Sequence, residues 1–226
     1  MKKIFVALAA AILSAGIAFA DDAGERSIHW FGFNIPVESQ PWSRTEDDYD
    51  YDFDADFVGF NIFYNHNTVG DNRFSKIIDC QIGYSSGDGY GSADFGGLDT
   101  RFMFGLGFAP LNIERVVLSV NGTFGVDLKF LTAEESAYYY DYDYTLFGLS
   151  TFIGANVQCA FNFGSSFGLS AGMHMYTSLF GVGVSTWDRT ATYSSSKYTD
   201  DDDGDVWLIG PGGFNIDLKF GVVLMY

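Results

Sequence analysis

Basic residues are scarce: 12 Lys and Arg stand against 29 Asp and Glu in 226 residues, for a net charge of −17. So acidic a chain repels phosphate backbones, which excludes nucleic-acid binding. Cysteine is almost missing, with only Cys80 and Cys159. A secreted domain stabilised by disulfides would carry more. Both cysteines fall at apolar-facing positions of predicted strands, so two unlinked, packed thiols are expected. Histidine is limited to His29, His66 and His174, and none lies in the acidic segments described below. With no nucleophile–base pair and no metal cluster, no catalytic site is expected. Beyond residue 20 no stretch reaches the roughly 18 apolar residues of a spanning helix, because Gly, Asn, Ser or a charge interrupts every few positions. A helical membrane protein is excluded.

What is abundant is aromatic and small: 23 Phe, 14 Tyr and 27 Gly, with aromatics at 18%. That composition belongs to strands rather than helices. At the start, Lys2 and Lys3 precede an apolar run from Ile4 to Ile17, and Ala18, Phe19 and Ala20 form a small-residue cleavage site. Residues 1–20 therefore read as a signal peptide for export through the Sec route. Residues 21–226 form one domain in which 10 bases face 29 acids.

Along that domain the pattern has period two. From Val116 to Phe130 the even positions include Leu118, Val120, Phe124, Val126 and Leu128, and the odd ones Ser119, Asn121, Thr123, Asp127 and Lys129. One face is greasy and the other polar or small. The same alternation predicts eight strands near 28–37, 57–65, 73–84, 97–109, 115–131, 144–163, 167–186 and 206–226. The connections 38–56, 85–96, 132–143 and 187–205 are long and rich in Asp, Glu, Tyr, Ser and Gly; 66–72, 110–114 and 164–166 are short turns. In an up-and-down arrangement all the long connections emerge at one end.

Volume decides which face looks inward. The interior of an eight-stranded barrel is just wide enough for side chains to fill, and the apolar face, with six or seven bulky residues per strand, cannot fit there. The face carrying Gly59, Gly105, Gly107, Ser119, Gly125 and Ser150 can. The expected fold is thus all-β, an eight-stranded antiparallel up-and-down transmembrane β-barrel with its apolar face toward lipid, a closure that leaves no unpaired backbone there. Trp30, Tyr64, Tyr84, Phe167, Trp187, Trp207 and Tyr226, at predicted strand ends, would form interfacial girdles.

With signal peptide, eight strands, short turns at one end and long loops at the other, the chain resembles the small bacterial outer-membrane barrels, the OmpA transmembrane domain, OmpX and OmpW. At the C-terminus Lys219, Gly221, Leu224 and Tyr226 resemble the assembly signal of that family, with Tyr in place of the usual Phe. The resemblance implies a monomer in the outer membrane that meets the assembly machinery and lipid. The Asp/Tyr-rich loops resemble those of small spirochaetal surface barrels in composition.

Two groups of residues are candidates for function. Asp48, Asp50, Asp52 and Asp54 alternate with aromatics in the first long connection, and Asp200, Asp201, Asp202 and Asp203 crowd the last. Such carboxylates suit weak Ca²⁺ or Mg²⁺ binding, but Thr199 stands where an ordered Ca²⁺ loop would begin and no Glu closes it. A solvated acidic surface is therefore expected, with no dedicated cofactor or metal, and the interleaved Tyr offers contact area for an extracellular ligand. The second group is internal. At about 2.5 Å of climb per residue, Asp79, Arg101, Asp217 and Lys219 fall at nearly one level, a lumen charge belt in which Arg101 reaches across to Asp217 while Asp79 approaches Arg101 from the next strand. Asn34, Asn121, Asn156 and His174 lie at similar heights. A belt so closed is a plug, and the expected role is that of a structural and surface-interaction protein; the alternative is a narrow channel for small or apolar solutes.

Overall fold

A computed structural model describes residues 25–46, 49–88, 94–137, 140–164, 167–193 and 196–225. Residues 1–20, which the sequence reads as a signal peptide, and Asp48 and Tyr226 lie outside the described residues.

The chain forms β1 (Arg26–Glu46), β2 (Tyr49–Val69), β3 (Phe74–Asp88), β4 (Asp94–Ile113), β5 (Val116–Ala137), β6 (Tyr140–Asn162), β7 (Phe167–Tyr193), β8 (Ser196–Ile209) and β9 (Gly212–Met225). Each neighbouring pair is antiparallel, and β8 and β9 are two halves of one closing strand that pairs with β7 on one side and β1 on the other. The result is a ring of eight strands. Following one hydrogen-bond row from Asn34 through Asn61, Gly83, Asp99, Lys129, Gly148, Gly183 and Trp207 leads back to Arg44, ten residues along β1 from the start. With a rise near 3.3 Å and a strand spacing near 4.8 Å, that stagger tilts the strands by roughly 40°.

Alternation sets the faces. On β2, Val58, Phe60 and Ile62 point outward and are 54–60% exposed, while Asn61, Phe63 and Asn65 point inward and are buried. The same holds on the other strands, with Phe104 and Leu106 outward on β4 and Leu218 and Phe220 outward on β9. A band of exposed aliphatic and aromatic side chains around a closed ring is the surface of a membrane-spanning barrel.

At the closing seam Gly32 and Gly221 face each other across β1 and β9. A Cβ on either would collide with the other strand's backbone, so both must be glycine for the ring to shut. Higher up, the ladder between β1 and the closing strand stops at the Val37–Ile216 pair and resumes at Trp42–Ile209. Pro41, which has no N–H to give, accepts from Gly210 at 2.8 Å, and the Ser39 N–H is taken up by the Asn215 side chain at 3.1 Å.

Several expectations are corrected. The long connections are extensions of the strands: 38–56 is the upper part of the β1–β2 hairpin, whose ladder runs to the Glu46–Tyr49 pair. Alternating Asp with Tyr or Phe is itself a period-two pattern, and Tyr and Phe favour strands. The first turn is tighter than 66–72, confined to Gly70–Arg73 with Arg73 at φ 64°, so His66 sits in β2 and stacks on His29 at 4.4 Å between ring centroids. Trp30 is no girdle residue: its even position on β1 turns it into the lumen, where it is 1% exposed. Tyr84 and Phe167 do face outward and are exposed. Cys80 and Cys159 are unlinked and on the outward face; Cys80 is partly covered and Cys159 is exposed rather than packed.

Candidate functional site in the lumen

The inward face is layered. Toward the short turns, Ile28, Trp30, Val117, Ala160, Val223 and Met225 form an apolar cluster. At the opposite end Trp42, Phe57, Phe95, Leu131, Leu146 and Ile209 form another. Charged residues lie between them.

Arg101, on β4, is the hub. Its Nη1 donates to both carboxylate oxygens of Asp217 at 2.8 and 2.9 Å, and its Nη2 donates to Glu38 and, at 3.3 Å, to Asp99. Nε stands 4.0 Å from Asp127. The guanidinium also lies 4.6 Å from the Tyr176 ring centroid, a cation–π contact whose worth grows where water is excluded. Lys129 completes an upper group, 2.8 Å from Glu38, 3.2 Å from Asp127 and 3.5 Å from Asp99. Lower down, Lys219 donates to Asp79 at 2.8 Å, and Asp79 also accepts from Asn65 at 2.9 Å and Gln81 at 2.7 Å. His174 lies 3.3 Å from Asp217 and 2.9 Å from Thr123. All these charged side chains are nearly inaccessible.

Buried charges are costly unless paired, and each of these lies within 4.0 Å of an opposite charge, although the Asp127 carboxylate and the Lys129 ammonium are held by ion pairs without a hydrogen bond. The structure brings Arg101 to Asp217 across the lumen, from β4 to β9. It does not bring Asp79 to Arg101. The β3 residue in register with Arg101 is Gln81, which leaves Asp79 nearer the short-turn end, where it holds Lys219. Sequence reasoning missed Glu38, Asp99, Asp127 and Lys129 as members. The last three occupy inward odd positions of β4 and β5, so strand parity could have found them; Glu38 was hidden by its assignment to a loop.

Of the outer candidates, Asp52 and Asp54 are exposed beside a cleft of about 370 Å³ that Pro41, Trp42, Ser43 and Gly210 also line. Asp50 and Asp200–203 are described by backbone position only. Register reveals a further feature: Asp56, Asp88, Asp94, Glu134, Asp143, Asp188 and Asp201 stand in one hydrogen-bond row across seven successive strands. The first six have exposed side chains. Among the described residues no three His, Cys, Asp or Glu are grouped to hold a metal ion.

The chain is a transmembrane β-barrel. No family model matches it and no curated protein does. Solved structures do: the translocator domain of the autotransporter NalP from Neisseria meningitidis, over 99% of this chain and 96% of that one, at 10% identity and TM-score 0.40; the outer-membrane protease OmpT from Escherichia coli, over 89% and 97%, at 7% identity and TM-score 0.35; and the outer-membrane protein AlkL, over 92% and 94%, at 15% identity and TM-score 0.36. These likenesses are of fold, and none supports a spirochaetal source.

Proposed function

We propose that this chain is a closed barrel of the bacterial outer membrane, exported through the Sec route, whose work is done by its outer hairpins and not through its lumen. The observation that carries this is the filling of the lumen, with the Arg101 network held between two apolar clusters. An ion crossing it would have to break paired charges and pass two dry layers. What remains for contact is the water-exposed end, where acidic side chains and the Asp52–Asp54 cleft face outward, and environmental or host ligands would meet the protein there. Loose Ca²⁺ or Mg²⁺ association with these carboxylates belongs to the same surface. The channel alternative gains no support from a lumen so occupied.

Assembly is read from the last strand. Lys219 is committed to Asp79 inside and Gly221 to the seam with Gly32, which leaves Leu224 and Tyr226 as the part of the signal available to assembly machinery. Deleting Tyr226 should leave export intact and lower the amount of heat-modifiable protein in the outer membrane.

The surface role is tested by replacing residues 44–52 and 189–202 with short Gly-Ser turns and comparing adherence of cells displaying either form to immobilised laminin and fibronectin. Loss of adherence with normal barrel levels is expected. Equal adherence of the two forms would refute a role for these hairpins in such contacts.

A further inference from the structure

The outward wall carries a polar spot for which neither the lumen nor the outer hairpins account. His29 on β1 and His66 on β2 are cross-strand partners toward the short-turn end, and their row continues into Leu224 on β9 and Ile78 on β3. Parity puts both imidazoles outside, since Ile28 and Trp30 on β1 belong to the inner apolar cluster and Asn65 and Asn67 on β2 bond to other inward side chains. Two residues nearer the turns, Ser27 stands opposite Thr68 and Thr68 opposite Lys76, and Lys76 pairs with Glu25 at 2.8 Å. An outward ion pair belongs on the water side of the membrane boundary, which places the two histidines at that boundary and within reach of dissolved ions. Ionisable side chains at such a level mark a site rather than packing.

The rings stack at 4.4 Å between centroids and 8° from parallel. The Nε2 atoms of both are aimed at one oxygen: Ser27 Oγ lies 3.2 Å from that of His29 and 2.9 Å from that of His66. The other ring nitrogen of His29, Nδ1, is 2.9 Å from the Tyr64 hydroxyl. Zn²⁺ binds imidazole nitrogen at about 2.0–2.1 Å and oxygen at about 2.0–2.2 Å, so neighbouring ligands stand roughly 2.9 Å apart at a right angle and roughly 3.4 Å apart at a tetrahedral one. Both N–O separations fall within that range. Bringing the two lone pairs onto one ion turns the rings out of their stack about the last side-chain torsion, which is soft in histidine. With Nε2 of His29 on the metal, its ring hydrogen sits on Nδ1 and donates to Tyr64, the kind of outer support that orients metal-bound histidines.

We propose that His29, His66 and Ser27 form a site for a divalent ion of the Zn²⁺ or Cu²⁺ class at the membrane boundary of the short-turn end. Imidazole nitrogens select these ions over Ca²⁺ and Mg²⁺, which suit carboxylates. Two imidazoles and a hydroxyl leave a tetrahedral ion one position for water. The ion ties β1 to β2 beside the seam where β1 meets β9, and because it binds the folded barrel better than a chain in which the two histidines are far apart, it raises the unfolding midpoint as its concentration rises.

The test is a ZnCl₂ titration of the untagged, refolded barrel in detergent micelles, with ¹⁵N-labelled histidine, at a pH above the ordinary histidine range, where the rings are free to take metal. The ring-nitrogen resonances of His29 and His66 should move together and saturate at one ion per barrel, while those of His174, fully buried in the lumen, stay in place. In folded His66→Phe the shift at His29 should be lost at the same zinc concentration. Should that variant not fold, Cu²⁺ bound to the wild type should show two equivalent nitrogen couplings by electron paramagnetic resonance. Unmoved histidine resonances at saturating zinc, a shift at His29 that persists in folded His66→Phe, or a copper spectrum of oxygen ligands alone would overturn the site.

Discussion

β2 and β5 obey one rule inside the membrane and the opposite rule above it. In the embedded part, Val58, Phe60 and Ile62 face out and Asn61 and Asn65 face in; a few residues nearer the hairpin tip of the same strand, Asp52, Asp54 and Asp56 face out while Ala55 and Phe57 are buried within. β5 repeats the switch, from Phe130 outside and Lys129 inside to Glu134 outside and Leu131 inside. On β2 and β5 strand parity runs unbroken through the change and only polarity inverts. The inversion marks the edge of the bilayer at the long-hairpin end, because the outward face exchanges lipid for water while the inward face exchanges a charged network for an apolar core. Carboxylates show the same contrast. Those inside are each held by a cation or donors, whereas those outside stand side by side on neighbouring strands, a pairing that costs stability and is tolerated only where water and salt screen it.

The largest effect should come from the embedded network. Arg101→Ala takes from Glu38, Asp99 and Asp217 the cation they share, leaving Lys129 to hold Glu38 and Asp99, and a buried pair broken from one side costs about 3–5 kcal/mol; the unfolding midpoint in urea, followed by heat-modifiable gel mobility, should fall accordingly. Next is the outer core. Leu131→Ala, fully buried among Trp42, Phe95 and Leu146, should cost about 2–4 kcal/mol while leaving the embedded part intact, visible as protease sensitivity confined to the outer hairpins. An unchanged cutting pattern would deny that this end has a core of its own.

The boundary is tested by moving one charge across it. Phe130→Asp places a carboxylate on the lipid face near the interface and should cost about 1 kcal/mol, whereas Thr132→Asp, one outward position higher, should be close to neutral. Equal costs would misplace the edge. The smallest effect belongs to the acidic row: Asp94→Asn, which relieves repulsion from Asp88 and Glu134, should stabilise the hairpins by about 0.2–0.5 kcal/mol, a gain that shrinks as NaCl is raised.

Much of this was legible in period-two alternation. It gave the number of strands and, with the volume of a small barrel, the face that meets lipid. It also placed Arg101 opposite Asp217, since both sit on inward positions at matching climb. It failed where polarity inverts. The segments Tyr49–Phe57 and Tyr140–Tyr144 alternate as strictly as any embedded strand, yet an acidic outward face looks like a loop to an argument tuned to lipid, and Glu38 was lost with it. Trp30 was misplaced because its size suggests a girdle and only its parity shows that it points inward. The acidic row and the pairing of Asp79 with Lys219 depend on register between distant segments, which no local pattern carries.

The central claim, that the lumen is closed by the Arg101 network between two apolar layers, is tested most directly by single-channel recording of the refolded barrel in a planar bilayer. The wild-type protein should show no steady conductance and Arg101→Ala should open a measurable leak; large, stable currents from the wild type, unaltered by the substitution, would contradict it.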